Sequence, residues 1–217
     1  IILDVLDLSE QHYYNKSWIK NIDYLIVNNI YMKKYFSKYI NKKNIFIIYH
    51  HYDPIFNTIK LKINNKLLFI FNGDNTNNNC LYLDKLKQKY DIIIINDFNK
   101  FINNYNFKNV CFLNIRQKNS FNYLYKPCIK LSQASASFSN IITTKDKSIQ
   151  DLLSNDYPYL LKNDDYNSVL IMMNYVIKTY DTYIWYNGLK MINKLRNRLN
   201  INYIINNNYK KILNKIT

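Results

Sequence analysis

Glycine and proline are nearly missing from this chain, with two and three copies in 217 residues. A chain so poor in glycine keeps it where the backbone needs a conformation that a Cβ resists. That directs attention to Gly73 and Gly188. Cysteine is as sparse, and Cys80, Cys111 and Cys128 form no CxxC pair and no metal-ligand spacing. Each stands among apolar residues or beside a predicted helix, the setting of a buried free thiol. So few cysteines point to a reducing compartment and a cytoplasmic location, the host cytoplasm if the chain is viral. No apolar run approaches the roughly 20 residues of a membrane-spanning helix. No secretory leader is visible at the start. The chain opens within a strand pattern and without Met, as a piece of a longer protein would.

Acidic residues are also short, 15 against 30 basic ones, for a net charge of +15. This excess favours anionic partners: nucleic acid, a phosphate-bearing small molecule or an anionic membrane surface. The basic residues are dispersed, adjacent only at Lys33-Lys34, Lys42-Lys43 and Lys210-Lys211, so no nucleic-acid tail is present. Despite 22 tyrosines, the clustered basic and aromatic groups of a nucleic-acid platform are lacking. Nucleic acid is therefore not expected, whereas peripheral contact with a membrane stays open. Asn, Ile, Lys and Tyr dominate the composition. All four are spelled by A/T-rich codons, as in the genome of an intracellular parasite or a large DNA virus.

What is present is a core-forming pattern. Hydrophobic content of 48% supports a packed core, with room for one large domain or two small ones. Strand patterns at Ile1–Leu6, Asp23–Asn28 and Asn44–Tyr49 alternate with a helix at Met32–Tyr39, which argues for parallel strands joined by crossover helices. His50-His51-Tyr52-Asp53-Pro54 then reads as a linker, because a residue before proline is pushed out of the helical region. Adjacent histidines on an extended chain point opposite ways, and no third ligand stands at a metal spacing. No metal is expected.

Alternation restarts at Lys66. A strand at Leu67–Phe71 leads to a helix at Asn79–Tyr90. Next comes the Asp91–Asn96 strand, whose isoleucine run suits a strand covered on both faces. A helix at Asp97–Tyr105 and a strand at Asn109–Ile115 follow, ending at Arg116, the first of three arginines. The stretch from Lys126 to Leu161 supplies a helix at Ile129–Ser137, a strand at Asn140–Thr143, a second helix at Ser148–Leu153 and a turn over Asn155–Tyr159. Small residues on the first helix (Ala134, Ser135, Ala136, Ser137) let it lie close to a strand or to a ligand. In such α/β units ligands sit beside the carboxyl ends of strands. Gly73, between a strand and a helix, suits either a phosphate at a helix N-terminus or an ordinary tight turn. From Asp165 to Leu199 the pattern is helical, with Gly188 a candidate break or kink between two helices. A short basic helix over Ile201–Thr217 ends the chain, with Lys210, Lys211 and Lys215 outward.

Several of these stretches resemble retaining-type glycosyltransferases of the GT-B fold, in the manner of glycosyltransferase families one and four. The match begins with Asp4-Val5-Leu6-Asp7. It continues through Asp23-Tyr24-Leu25-Ile26-Val27-Asn28-Asn29 and the Tyr49–Pro54 linker, and is strongest over Lys126–Tyr159. There K-P-C-I-K-L-S-Q-A, Ile141-Ile142-Thr143, K-D-x-S-I-x-D-L-L and D-Y-P-Y-L look like the donor-binding half of such enzymes. The resemblance implies an α/β GT-B-like fold of Rossmann-type parallel sheets. Residues 1–57 would be an incomplete acceptor-side domain, 58–180 the donor-nucleotide domain, and 181–217 helices packing across both. It further implies sugar transfer from a nucleotide-sugar, such as a UDP- or GDP-sugar, to a hydroxyl of a glycan, lipid or protein, with no metal and no other cofactor.

On the same resemblance, Lys130 and Arg116 would grip the donor diphosphate, whose charge grows as the glycosidic bond breaks. Lys126, Ser132 and Gln133 would line that segment and Gly73 would lie under the phosphates. Thr143, Thr144, Lys145 and Asp146 would face the cleft from a strand-end loop. The competing reading of each lysine is a solvated surface charge. Two departures stand out. Where many relatives carry paired glutamates with seven residues between them, this chain has Tyr125 and Gln133, and an amide holds a ribose less strongly than a carboxylate. The usual glycine after that helix is replaced by Phe138 or Ser139. No catalytic residue is assigned, and a catalytically degenerate binding or scaffold module is the alternative.

Overall fold

A computed structural model of the chain describes residues 1–5, 8, 15, 17–58, 63–73, 82–95, 108–117 and 121–216. The expected helix at Asp97–Tyr105 and Cys80 lie outside the described residues.

Two parallel sheets organise the described chain. In the first, β1 (Ile2–Val5), β2 (Tyr24–Val27) and β3 (Ile45–Ile47) lie in sequence order. Helix α1 (Ile30–Phe36) crosses between β2 and β3. It starts where the Asn29 side chain accepts the Met32 amide at 2.9 Å, a regular N-cap. Its Met32 and Phe36 bury against Leu25, Val27 and Ile45. The linker follows, with Asp53 accepting the Ile55 amide at 2.9 Å to open a 3₁₀ turn over Pro54–Asn57.

The second sheet has five parallel strands in the order β5-β4-β6-β7-β8. They are β4 (Ile63–Asn72), β5 (Ile92–Ile95), β6 (Lys108–Asn114), β7 (Asn140–Thr144) and β8 (Leu160–Leu161). Helices α2 (Leu83–Lys87), α3 (Phe121–Tyr125), α4 (Ile129–Ala136) and α5 (Lys147–Leu152) lie along the connections. From β4 the chain steps outward to β5, then returns to the opposite side of β4 with β6. The order therefore reverses between β4 and β6, where open α/β sheets place ligands beyond the carboxyl ends of the strands. The isoleucine run of β5, expected to be covered on both faces, is an edge strand with Ile93 and Ile94 only half-buried.

The long helical region is divided elsewhere than expected. Helices α6 (Tyr166–Thr179) and α7 (Tyr183–Arg198) separate at Tyr180–Thr182, where Asp181 takes a left-handed φ of 60°. Gly188 makes no break. It lies inside α7 because that helix packs too closely on β7 for any side chain: a Cβ there would stand 2.5 Å from the Asn140 Oδ1. Asn140 is fully buried. Its amide donates to the Trp185 carbonyl (3.1 Å), and its oxygen accepts the Tyr157 hydroxyl (3.2 Å).

At its other end α7 carries the two remaining arginines. Arg196 donates to the Ala136 carbonyl at the last turn of α4 (3.3 Å). Arg198 donates to the Leu152 and Asp151 carbonyls at the last turn of α5 (3.2 and 3.3 Å). Both satisfy helix C-termini with a cation, which the helix dipole favours. The tail is α8 (Ile201–Ile204), a π turn over Ile205–Tyr209 and α9 (Lys210–Ile216). Ile204 and Ile212 pack on Ile26 of β2 and on Ile48, just after β3. The final helices thus bridge the two sheets.

Replacing Gly188 with Ala forces α7 off β7, and overpacking of this kind costs about 1–3 kcal/mol; chemical denaturation of the variant reads the loss. Burial raises the Tyr157 phenol well above its ordinary value and that of Tyr159 up to about 12. An acid held protonated by folding stabilises fully below its unfolded value of about 10. That contribution disappears as pH rises through 12. Stability followed by circular dichroism should be flat to about pH 10 and then fall together with the rise of tyrosinate absorbance.

Candidate functional site

The carboxyl end of β4 supplies Asn72 and Gly73. Gly73 has φ +146°, which favours glycine. Its N–H donates to the Ile95 carbonyl, 3.0 Å away at the end of β5. Facing it is the first turn of α4. The Lys130 Nζ lies 4.8 Å from the Phe71 ring centroid and would stand only 3.3 Å from a Cβ on Gly73. A bare glycine lets the ammonium settle over the end of the strand. One turn later the Gln133 Oε1 accepts the Asn72 side-chain amide at 2.7 Å. Gly73, Lys130 and Gln133 are thereby brought together at the point where the sheet order reverses. No side chain caps the amino end of α4, and the positive end of its dipole lies at the turn that carries Lys130.

The other sequence-predicted residues support this corner. At the end of β6, Arg116 donates its backbone N–H to the Thr144 hydroxyl (3.0 Å). Its guanidinium donates to the Lys126 and Pro127 carbonyls (3.0 and 2.5 Å). It holds the turn that delivers the chain into α4. Lys126, half-buried, contributes its carbonyl to that clamp. Ser132 is buried and donates to the His50 carbonyl (2.9 Å), tying α4 to the linker.

Thr143, Thr144 and Asp146 are buried at the end of β7, and Lys145 is half-buried. The Asp146 carboxylate caps α5 through the Ile149 amide (2.9 Å). Burial pushes its carboxyl up, opposed by that amide and by the Arg116 charge.

Three neighbours were not predicted. Asn72 and Phe71 contact the two side chains of α4 just described. Asn114 donates to the Thr143 hydroxyl (2.8 Å) and the Cys128 sulfur (3.2 Å), and its buried oxygen accepts no hydrogen bond among the described groups. The available signal was an asparagine ending each of two apolar strands.

The adjacent histidines also differ from expectation. The His50 and His51 rings stack at 5.4 Å, nearly parallel, instead of pointing apart. The His50 Nδ1 lies 2.7 Å from the His51 carbonyl. Burial, then the neighbouring ring, lowers the His51 pKa. Among the described residues no three His, Cys, Asp or Glu side chains gather as a metal site.

Tyr125, at one of the two glutamate-like positions, turns toward the first sheet. Its ring meets Tyr35 of α1 edge-on at 5.7 Å and lies 5.1 Å from Phe121. Alongside, Tyr31 contacts Tyr123 (6.3 Å) and accepts the Lys147 amide (3.3 Å). An aromatic contact therefore joins the two halves beside the site. A separate cavity of about 450 Å³, lined by Leu67, Phe69, Tyr90 and Tyr180 among others, lies toward the amino ends of β4 and β5, away from these residues.

No protein-family model matches the chain, and no curated protein matches it either. Solved structures do. A glycosyltransferase from Rickettsia africae ESF-5 superposes with a TM-score of 0.65 at 12% identity, over 98% of this chain and 70% of that one. HepE from Anabaena, solved in complex with UDP and glucose, superposes with a TM-score of 0.65 at 10% identity, over 98% and 71%. The fold shared with them is of the GT-B type. The elements that share it are the two parallel sheets, β1–β3 and β4–β8, followed by the helices α7 to α9. No helix among the described residues is long and apolar enough to cross a membrane.

Arg116→Lys keeps the charge but loses the paired donation to two carbonyls. Denaturant melts should show a loss of about 1–2 kcal/mol. An unchanged midpoint would mean that the turn into α4 does not need the clamp.

Proposed function

We propose that the chain transfers a sugar from a nucleotide-sugar, a UDP- or GDP-sugar, to a hydroxyl of a glycan, lipid or protein, with the donor diphosphate at the carboxyl ends of β4 and β6. The observation that carries this reading is the convergence of the Lys130 ammonium, Gly73 and the uncapped amino end of α4. Breaking the glycosidic bond leaves negative charge on the departing nucleoside diphosphate. A fixed cation and a helix amino end stabilise that charge where it develops, so no metal ion is invoked. Gly73 allows the phosphates to approach the backbone as no larger residue would. The reading also draws on the fold shared with HepE, whose structure holds UDP and glucose.

Gln133 has a modified role in this proposal. Its oxygen already accepts from Asn72, so the amide N–H groups face the ligand. They donate to a ribose hydroxyl oxygen, where a glutamate would accept from the hydroxyl hydrogen.

A second reading is a binding module that holds a nucleotide without turning it over. It is favoured by Tyr125, which offers no carboxylate and whose ring is engaged by Tyr35. The two readings share the binding step and separate at turnover.

UDP or GDP should raise the melting temperature of the chain, and Lys130→Ala should weaken that nucleotide about tenfold, or 1.4 kcal/mol. Calorimetric titration measures both. Absence of a response to either nucleotide contradicts both readings, and binding without sugar transfer or donor hydrolysis selects the second.

A further inference from the structure

A second polar cavity lies at the junction between the two halves. It holds about 250 Å³. Liquid water takes about 30 Å³ per molecule, so there is space for roughly eight waters, too small for a nucleotide-sugar but ample for a phosphorylated small molecule. The chain passes between the halves twice, and both passages contribute to the wall: Tyr49 just after β3, and Leu199 just after α7. Leu152 of α5 and Tyr203 of α8 add further wall, and the π turn contributes Asn207 and Asn208. A π turn in an otherwise helical segment often marks a functional site.

The charged groups on this wall are Arg198 and Lys211. No carboxylate lines it among the described residues. Beside the wall, Asp151 accepts the Tyr49 hydroxyl (3.3 Å) and pairs with Lys147 (3.1 Å). Arg198 is already oriented by the carbonyls of Asp151 and Leu152. Two cations, two carboxamides and the Tyr203 phenol surround this small polar space, the Tyr49 hydroxyl being engaged by Asp151; they match the oxygens of a phosphoryl group, which accepts several charge-assisted hydrogen bonds at once.

We propose that this cavity binds a phosphoryl group, as inorganic phosphate or a small phosphomonoester, and that the bound anion ties the first sheet to the returning helices. The site is distinct from the corner at Gly73 and Lys130 and does not rest on the reading of that corner as a donor site. An anion held here touches both passages of the chain, so it stabilises the junction whether or not a nucleotide is bound.

The test is thermal unfolding of the whole chain in sodium phosphate and in sodium chloride of equal ionic strength. A ligand near saturation should raise the midpoint by about 2–4 °C in phosphate alone. Lys211→Gln should remove most of that rise. Asn208→Asp, which places a carboxylate in the wall, should abolish it. Lys130→Ala and saturating UDP should leave it intact. A larger response to glycerol 3-phosphate than to inorganic phosphate identifies the monoester as the ligand, and equal responses identify the free anion.

Equal midpoints in phosphate and chloride overturn the proposal. So does a phosphate response that survives Lys211→Gln and Asn208→Asp but disappears with Lys130→Ala, since the anion would then occupy the other corner. Should either wall variant fail to fold, nuclear magnetic resonance titration of the unaltered chain decides. Phosphate must shift the amides of residues 203–211 and not those around Gly73.

Discussion

Helix α4 can lie where it does only because its buried face is made of small side chains. Ala134, Ser135 and Ala136 have essentially no exposure, and Leu131 supplies the one large apolar group of that face. The helix is fixed at several points by partners of different kinds. Arg116 holds the turn before it, Ser132 ties it to the linker, Gln133 to the end of β4, and Arg196 donates to its last carbonyl. Bulkier residues would lift the helix and break these contacts together, because packed interiors do not deform continuously. The placement of Lys130 over Gly73 follows from this position of the helix.

The arginines show why composition alone understates the design. In a chain with 30 basic residues, the three arginines all donate to backbone carbonyls at helix ends or in the turn before a helix. A guanidinium presents several donors in a fixed plane, whereas an ammonium is a compact and strongly hydrated point charge. Arg196 also stacks over Phe138, 4.3 Å from the ring centroid. Fastening the two helices of the second sheet to α7 is work for which lysine is poorly shaped.

Much of the fold was legible because parallel strands and crossover helices leave a direct trace of apolar runs and periodicity. The strands at Tyr24–Val27, Ile92–Ile95 and Asn140–Thr144 and the helix at Ile129–Ala136 fall within a residue or two of expectation. Gly188 was misread because a glycine needed for close approach looks, in sequence, like a glycine that ends a helix. Asp181 was missed for the complementary reason, since an aspartate in a left-handed conformation has no special sequence mark. The short β8 and α3 carry too few residues for a periodicity to emerge. Of the candidate site, Gly73 stands out in the sequence by scarcity and by its place after a strand, whereas Lys130 is singled out only by the resemblance. Asn72 and Asn114 were not legible, because hydrogen bonds between side chains far apart in the chain leave no local pattern. The aromatic contact between Tyr35 and Tyr125 is of the same tertiary kind.

Position and charge at one corner therefore carry the functional account, and a crystal structure with bound UDP tests it most directly. The account predicts the diphosphate at the ends of β4 and β6, with phosphate oxygens within hydrogen-bond reach of the Lys130 Nζ and the backbone at Gly73. UDP bound elsewhere, with Lys130 still lying over the Phe71 ring and touching no phosphate, would contradict it.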